Sequence, residues 1–235
     1  MTKYLKEFNA ILREIDYSKN TVTKFGDFLT LCTYSLAQPF YNSNEIEEKY
    51  KCVAKQYSLS QLEKFAQLIS IVILALEDEM QDFLGQIFMS NDMGASYKGQ
   101  FFTPYHVSKM MAEIQLVDSD NFKDRDLISV SEPCSGSGGM IIAFAECLKE
   151  KGINYQQKIY VEAIDIDDLC YKMTYIQLAL LGIPAKVLKG NTLSLDFQEA
   201  LYTPFYFLNN IASKLEKEAN LKPVQDKIQL SLFTL

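Results

Sequence analysis

The chain has 235 residues, 48% of them apolar and 23% charged, with a net charge of −7, an ordinary balance for a folded chain with one sizeable core or two smaller ones. A protein that grips nucleic acid unaided usually shows a basic excess, because phosphate contacts supply most of the affinity; this chain has neither that excess nor a dense Lys/Arg run. Its five widely spaced cysteines include no CxxC pair and its one histidine is His106, which argues against a metal centre and fits reduced thiols in a cytoplasmic setting.

The N-terminal "MTKYLKEFNAILREID" carries acids and no small-residue cleavage site, so no signal peptide is expected. Over residues 1–95 apolar side chains recur at three- and four-residue spacing, with few glycines and the single Pro39, which predicts a helical N-terminal domain. In "SLSQLEKFAQLISIVILALEDEM" either Ser58 or Ser60 caps a helix whose Leu62, Phe65, Ile69, Val72, Ile73 and Leu76 line one face. The most apolar run, Leu68 to Leu76, is too short to cross a bilayer, and no membrane partner is expected. "SNDMGASYKGQ" then reads as a loop. Helical spacing resumes in "TPYHVSKMMAEIQL", with Thr103 as N-cap and Pro104 at the first helical position. His106, which any nucleophilic triad would need, stands at the start of that helix, where a capping or surface role accounts for it.

From residue 127 to 193 strands and helices alternate: "DLISVSEP", "GGMIIAFAECLKEKG", "KIYVEAIDID", "DLCYKMTYIQLALLGI" and "AKVLKGNTL". This alternation predicts an α/β domain over residues 96–235, built from parallel βαβ units with right-handed crossovers. Ligands of such a sheet bind beyond the carboxyl ends of its strands. Gly136, Gly138 and Gly139 stand where the first strand turns into its helix, so the backbone can approach a ligand closely. An acid ends the next strand, Asp165 with Asp167 as the alternative, and "GNTL" ends the third. In that order they predict a ligand of nucleoside type, a carboxylate accepting from the hydroxyls of a ribose. Neither the usual GxGxxG of dinucleotide sites nor a P-loop occurs.

"EPCSGSGG" resembles the D-P-x-C-G-S-G-G signature of S-adenosylmethionine-dependent N6-adenine DNA methyltransferases, in particular the modification subunits of type I restriction systems. "GQFFTP" at 99–104, "DIDDLCYKMTYIQLALLGI" and "GNTL" are similar to further segments of that family, so the resemblance runs over roughly residues 82–193. It implies a Rossmann-like class I methyltransferase core and S-adenosylmethionine as cofactor. By resemblance Phe102 and Thr103, with Pro104, border the cofactor; Glu132 and Gly136 face its amino-acid part, Asp165 its ribose, Ile166 its adenine face and Asn191 its adenine edge. Cys134, Ser135, Ser137, Gly138 and Thr192 complete the implied site. Glu132 and Asn191 stand where the family has Asp, and an amide offers a donor where a carboxylate only accepts.

Methylation of an exocyclic adenine amine requires strict placement of a poor nucleophile. The family places it with an Asp, Asn or Ser, two prolines and an aromatic ring that stacks on a flipped-out base. No such tetrapeptide occurs here. The nearest candidate is "YTPF", Tyr202, Thr203, Pro204 and Phe205, with "TPFY" as a second register and a buried aromatic strand or loop as the structural alternative. After it come a charged helix, "NNIASKLEKEANL", a break at Pro223 and a strand, "KIQLSLFTL", fewer strands than the family's full sheet. The resemblance thus implies an adenine-N6 DNA methyltransferase that meets DNA through a partner or specificity chain. The alternative is a catalytically idle cofactor-binding or interaction protein derived from such an enzyme. An open sheet edge would favour a homodimer or partner docking.

Overall fold

The computed structural model describes residues 3–91, 93, 101–117, 122, 125–221 and 230–231. The chain divides into two compact units, Met1–Phe102 and Thr103–Leu235. The first contains α1 (Lys3–Glu14), α2 (Thr21–Tyr41), α3 (Asn44–Ala54), α4 (Leu59–Asp78) and α5 (Phe83–Ser90). Its core is aromatic: the fully buried Phe8 meets Phe25, Phe28 and Phe83 edge-on, with centroids between 5.3 and 6.4 Å apart. Such edge-to-face pairs add to the stabilisation from area burial alone.

Ser58, not Ser60, caps α4: its hydroxyl accepts from Gln61 N while the Gln61 side chain accepts from Ser58 N, a reciprocal capping box. The buried face of α4 is Phe65, Leu68, Ile71, Val72, Ala75 and Leu76. Leu62 and Ile69 are half-buried and Ile73 is exposed, which corrects the expected face. From 68 to 76 the helix is apolar nearly all round, so spacing alone did not select the side that α1, α2 and α5 cover. Helix α4 is long and apolar enough to cross a membrane by length and composition, although its uninterrupted apolar run is short. That face is packed inside the helical unit.

The second unit contains α6 (Tyr105–Gln115), β1 (Ile128–Glu132), α7 (Gly139–Glu150), α8 (Tyr155–Lys158), β2 (Ile159–Asp165), α9 (Asp168–Leu180), β3 (Ala185–Asn191), β4 (Asp196–Tyr202), α10 (Pro204–Leu208), α11 (Ile211–Leu221) and β5 (Leu230–Ser231). The strands lie in the order β4-β3-β2-β1-β5. β2 pairs with β1 and β3 in parallel, β5 lies parallel to β1, and β4 returns antiparallel to β3. β1-α7-β2-α9-β3 is the expected alternating unit and gives the domain its Rossmann-like core. α9 is buried along most of its length, with Tyr171 and Tyr175 fully enclosed.

Pro104 is the N-cap of α6, and its ψ of 136° leaves it extended, outside the helix. Thr103 therefore does not cap it, contrary to expectation. Most of the predicted loop at 90–100 and the Pro223 break lie outside the described residues, and of the predicted strand at 227–235 only Leu230–Ser231 is described.

The β3–β4 hairpin carries an irregularity between Lys189 and Gly190. A Cβ at Gly190 would run into the Asp196 carbonyl oxygen and lie 2.8 Å from Phe197 Cα, backbone atoms that cannot step aside. Gly190→Ala should therefore destabilise the chain by about 1–3 kcal/mol, read as a lowered urea midpoint; an unchanged midpoint would mean that the hairpin does not pack as described.

Candidate functional site

β1 and β2 end side by side, with Glu132 in register with Ala163 and Asp165 two residues further along β2. After Glu132 the chain makes a tight turn through Gly136 (φ 56°) and Gly138 (φ 93°) into α7. Both values lie in the left-handed region, which glycine enters without the steric cost of a side chain. Gly138 is itself the N-cap and offers no side-chain oxygen, so the first N–H groups of α7 are not taken by a cap side chain.

The turn is tied to β2 at two points. Gly136 N donates to Asp165 Oδ2 (2.8 Å) and Ser135 N donates to Ile164 O (2.9 Å). Asp165 Oδ1 accepts from Asp167 N (2.9 Å). A carboxylate has about four lone-pair sites, so Asp165 can order the turn and still accept from a ligand. Asp167 is committed elsewhere: it is buried and its Oδ1 accepts from Leu169 N and Cys170 N at the start of α9. Ile166, between the two acids, is 65% exposed.

Glu132 is fully buried. Its Oε1 accepts from Cys134 N (3.1 Å), and its Oε2 has no hydrogen-bond partner. Burial, and secondarily the charge of Asp165, push the Glu132 carboxyl up to about 7 against the opposing bond from Cys134. Burial likewise raises Asp165. Two carboxyl groups thus converge at the ends of neighbouring strands, one with an unused buried oxygen. A ligand carrying a cation and hydroxyl donors matches this set.

The third strand end closes the cluster. Thr192 Oγ1 donates to Pro133 O (2.6 Å). Asn191 Oδ1 accepts from Leu193 N (2.9 Å) and Ser194 N (3.4 Å), an Asx turn that fixes the amide so that Nδ2 remains as its free-facing donor. Two residues outside the predicted set hold the turn from α9. Thr174 Oγ1 donates to Gly136 O (3.0 Å) and lies 3.1 Å from Ser135 Oγ, while Gln177 Nε2 donates to Ser137 O (2.7 Å). Both are fully buried polar side chains, three residues apart on one helix face. That spacing within an apolar helix was their only sequence signal.

The structure therefore brings Glu132, Cys134, Ser135, Gly136, Ser137, Gly138, Asp165, Ile166, Asn191 and Thr192 to the carboxyl end of the sheet. Phe102 belongs to the helical unit, where its ring packs on Phe88 at 5.1 Å, and Thr103 and Pro104 lead into α6.

The "YTPF" segment lies elsewhere. Tyr202 pairs with Lys186 near the start of β3, whereas Asn191 ends that strand. The five intervening steps span about 16 Å at about 3.3 Å per residue. Thr203 is fully buried: its Oγ1 donates to Ile183 O (2.7 Å) and accepts from Ala185 N (2.9 Å). Pro204 opens α10 at a position where a missing N–H costs nothing. Phe205 packs against Gly182, and the Tyr202 ring meets Tyr206 at 4.2 Å. The antiparallel return of β4 carries the segment to the amino end of the parallel strands, opposite the glycine turn.

Among the described residues, Glu113, Cys147 and Glu150 form one trio with metal-ligand spacing. Lys109 pairs with Glu150 (2.7 Å), and burial pushes the Cys147 thiol up to about 11, so one of the trio's two carboxylates is paired and its thiol stays protonated at neutral pH.

No curated protein matches the sequence. A solved structure from Listeria monocytogenes, described as a class I S-adenosylmethionine-dependent methyltransferase, is 14% identical with a TM-score of 0.40. The match covers 72% of this chain and 54% of that one, so the chain spans about half the length of that protein. The sequence model described as N-6 DNA Methylase matches residues 77–212, which takes in the glycine turn, both converging acids and the third strand end. With more than half of its residues inside that match, the chain belongs to the N-6 DNA methylase family of S-adenosylmethionine-dependent methyltransferases.

Proposed function

We propose that the chain binds S-adenosylmethionine across the carboxyl ends of β1, β2 and β3 and serves the methylation of adenine N6 in DNA, with a partner chain contributing DNA recognition and the groups that hold the target base. One observation carries the cofactor half: the glycine turn is bonded through Gly136 to Asp165 while the buried Glu132 keeps an unused oxygen beside it. These residues fit the cofactor. Its ammonium needs an acceptor, which Glu132 Oε2 supplies; its ribose needs a carboxylate at the end of β2, which is Asp165; its adenine face needs an apolar surface, which the exposed Ile166 offers. When bound, the cofactor supplies a methyl group activated by a sulfonium. The chain's own residues bind and orient it.

The partner follows from what these residues lack. The net charge of −7 gives no excess for phosphate contacts. The only proline–aromatic segment after the third strand lies at the far end of the sheet. β4 ends the strand order, and its outward residues are largely exposed, which offers backbone for pairing with a partner or a second copy. The placement of "YTPF" also favours a second reading, a catalytically idle cofactor-binding protein.

The two separate in one experiment. The tagged chain is recovered from its own cells with whatever it binds and incubated with unmethylated DNA and S-adenosylmethionine, and the digested DNA is analysed by mass spectrometry. N6-methyldeoxyadenosine above background, lost with Asp165→Ala, is the expected result. A preparation that binds the cofactor and leaves adenine unmethylated would establish the idle reading.

A further inference from the structure

Among the described acids of the domain, Glu132 alone combines no exposure, one oxygen without a partner and a second carboxyl beside it. Its own turn supplies one neutral contact, the N–H of Cys134, together with the Cys134 thiol. From β2 it faces Asp165, whose like charge opposes its ionisation. Among the described residues no lysine or arginine acts on it; Lys172 and Lys189 are both drawn to Asp168. A buried carboxylate with only one oxygen hydrogen-bonded, next to another carboxylate, is costly, and such a group keeps its proton instead.

We propose that Glu132 carries a proton in the ligand-free chain in mildly acidic solution and gives it up to solvent as the cofactor's α-ammonium takes its place, so that cofactor uptake there releases one proton. The proposal rests on the cofactor reading above. Its balance is simple: the O–H bond of the Glu132 carboxyl breaks, the proton passes to buffer, and an ammonium N–H donates to the freed Oε2. Glu132 thereby selects ligands with a cationic amino group, because a ligand without one leaves the acid protonated.

Two consequences can be read separately. The stability that Glu132 itself contributes to the ligand-free fold is fully present below the ordinary glutamate value of 4.5, declines as pH rises toward about 7 and is gone above it. Cofactor affinity should rise by up to about tenfold per pH unit below about pH 7 and level off above.

The test is titration calorimetry with S-adenosylhomocysteine, which keeps the amino group, in buffers of different ionisation heat at pH 5.5, 6.5 and 7.5. Infrared spectra of the ligand-free and ligand-bound chain accompany it. Near-complete release of one proton is expected at pH 5.5 and less at 7.5, with a protonated-carboxyl band that disappears on binding. 5′-Methylthioadenosine, which lacks the amino acid, should bind without release. Glu132→Gln should bind with neither release nor pH dependence, and the wild-type measurements decide the matter even where that variant fails to fold. Binding without proton release, or a ligand-free chain without the band, would overturn the coupling alone. Absence of binding at every pH would overturn the cofactor reading and the coupling with it.

Discussion

Asp165→Ala should weaken S-adenosylmethionine binding by at least about 100-fold, the equivalent of two hydrogen bonds to a charged group at about 1.5–3 kcal/mol each. The side chain does two jobs at once. Its oxygens accept from Gly136 N and Asp167 N, which joins the glycine turn to the end of β2, and on the proposed reading its remaining lone pairs accept from the ribose. Alanine removes the acceptor for both backbone donors and every bond to the ribose together. Asp165→Asn is the informative intermediate: one amide oxygen can replace one carboxylate oxygen, while the amide nitrogen then confronts a second N–H. Its binding loss should fall between wild type and alanine. Asp167→Ala should act differently, weakening the fold through the lost α9 cap by about 1 kcal/mol while sparing affinity for the cofactor. Equal losses of affinity in the Asp165 and Asp167 variants would mean that the ribose acid is misassigned.

Thr203→Val has the opposite signature. Valine matches threonine in shape but removes the hydroxyl that donates to Ile183 O and accepts from Ala185 N. Each buried group left unpaired costs about 1–3 kcal/mol, so the variant should lose about 2–6 kcal/mol of stability in a urea melt. Cofactor affinity should stay within about twofold, because the hydroxyl pins the amino end of β3 and the site lies at the carboxyl end. Phe205→Ala, which empties the contact with Gly182, should likewise cost stability and leave binding alone. A stable Thr203→Val chain with impaired methyl transfer would instead return this segment to the chemistry.

These two outcomes also mark where the sequence was readable. Gly136, Gly138 and Asp165 form a local strand–turn–helix signal and a strand-end acid, and short-range geometry decides both. The different surroundings of Asp165 and Asp167 were not legible from spacing: Asp167 caps α9 at Leu169 and Cys170, whereas Asp165 accepts from the glycine turn. Thr174 and Gln177 were not legible, since a polar residue on an apolar helix shows its partner only once the turn is packed against it. The role of "YTPF" was obscured for a different reason. A strand pattern carries no direction, and the turn at Thr192–Leu195, with Leu195 at φ 55°, sends β4 back antiparallel instead of through another crossover. That reversal puts Thr203 at the amino end of β3, away from the glycine turn.

The central claim, a cofactor site at the carboxyl ends of β1 to β3, is tested most directly by calorimetric titration of S-adenosylmethionine into wild type, Asp165→Ala and Thr203→Val under one set of conditions. One site per wild-type chain, binding at least about 100-fold weaker in the first variant and near wild-type affinity in the folded second are expected. Absence of binding by the wild type, or Asp165→Ala affinity close to that of the wild type, would overturn the site.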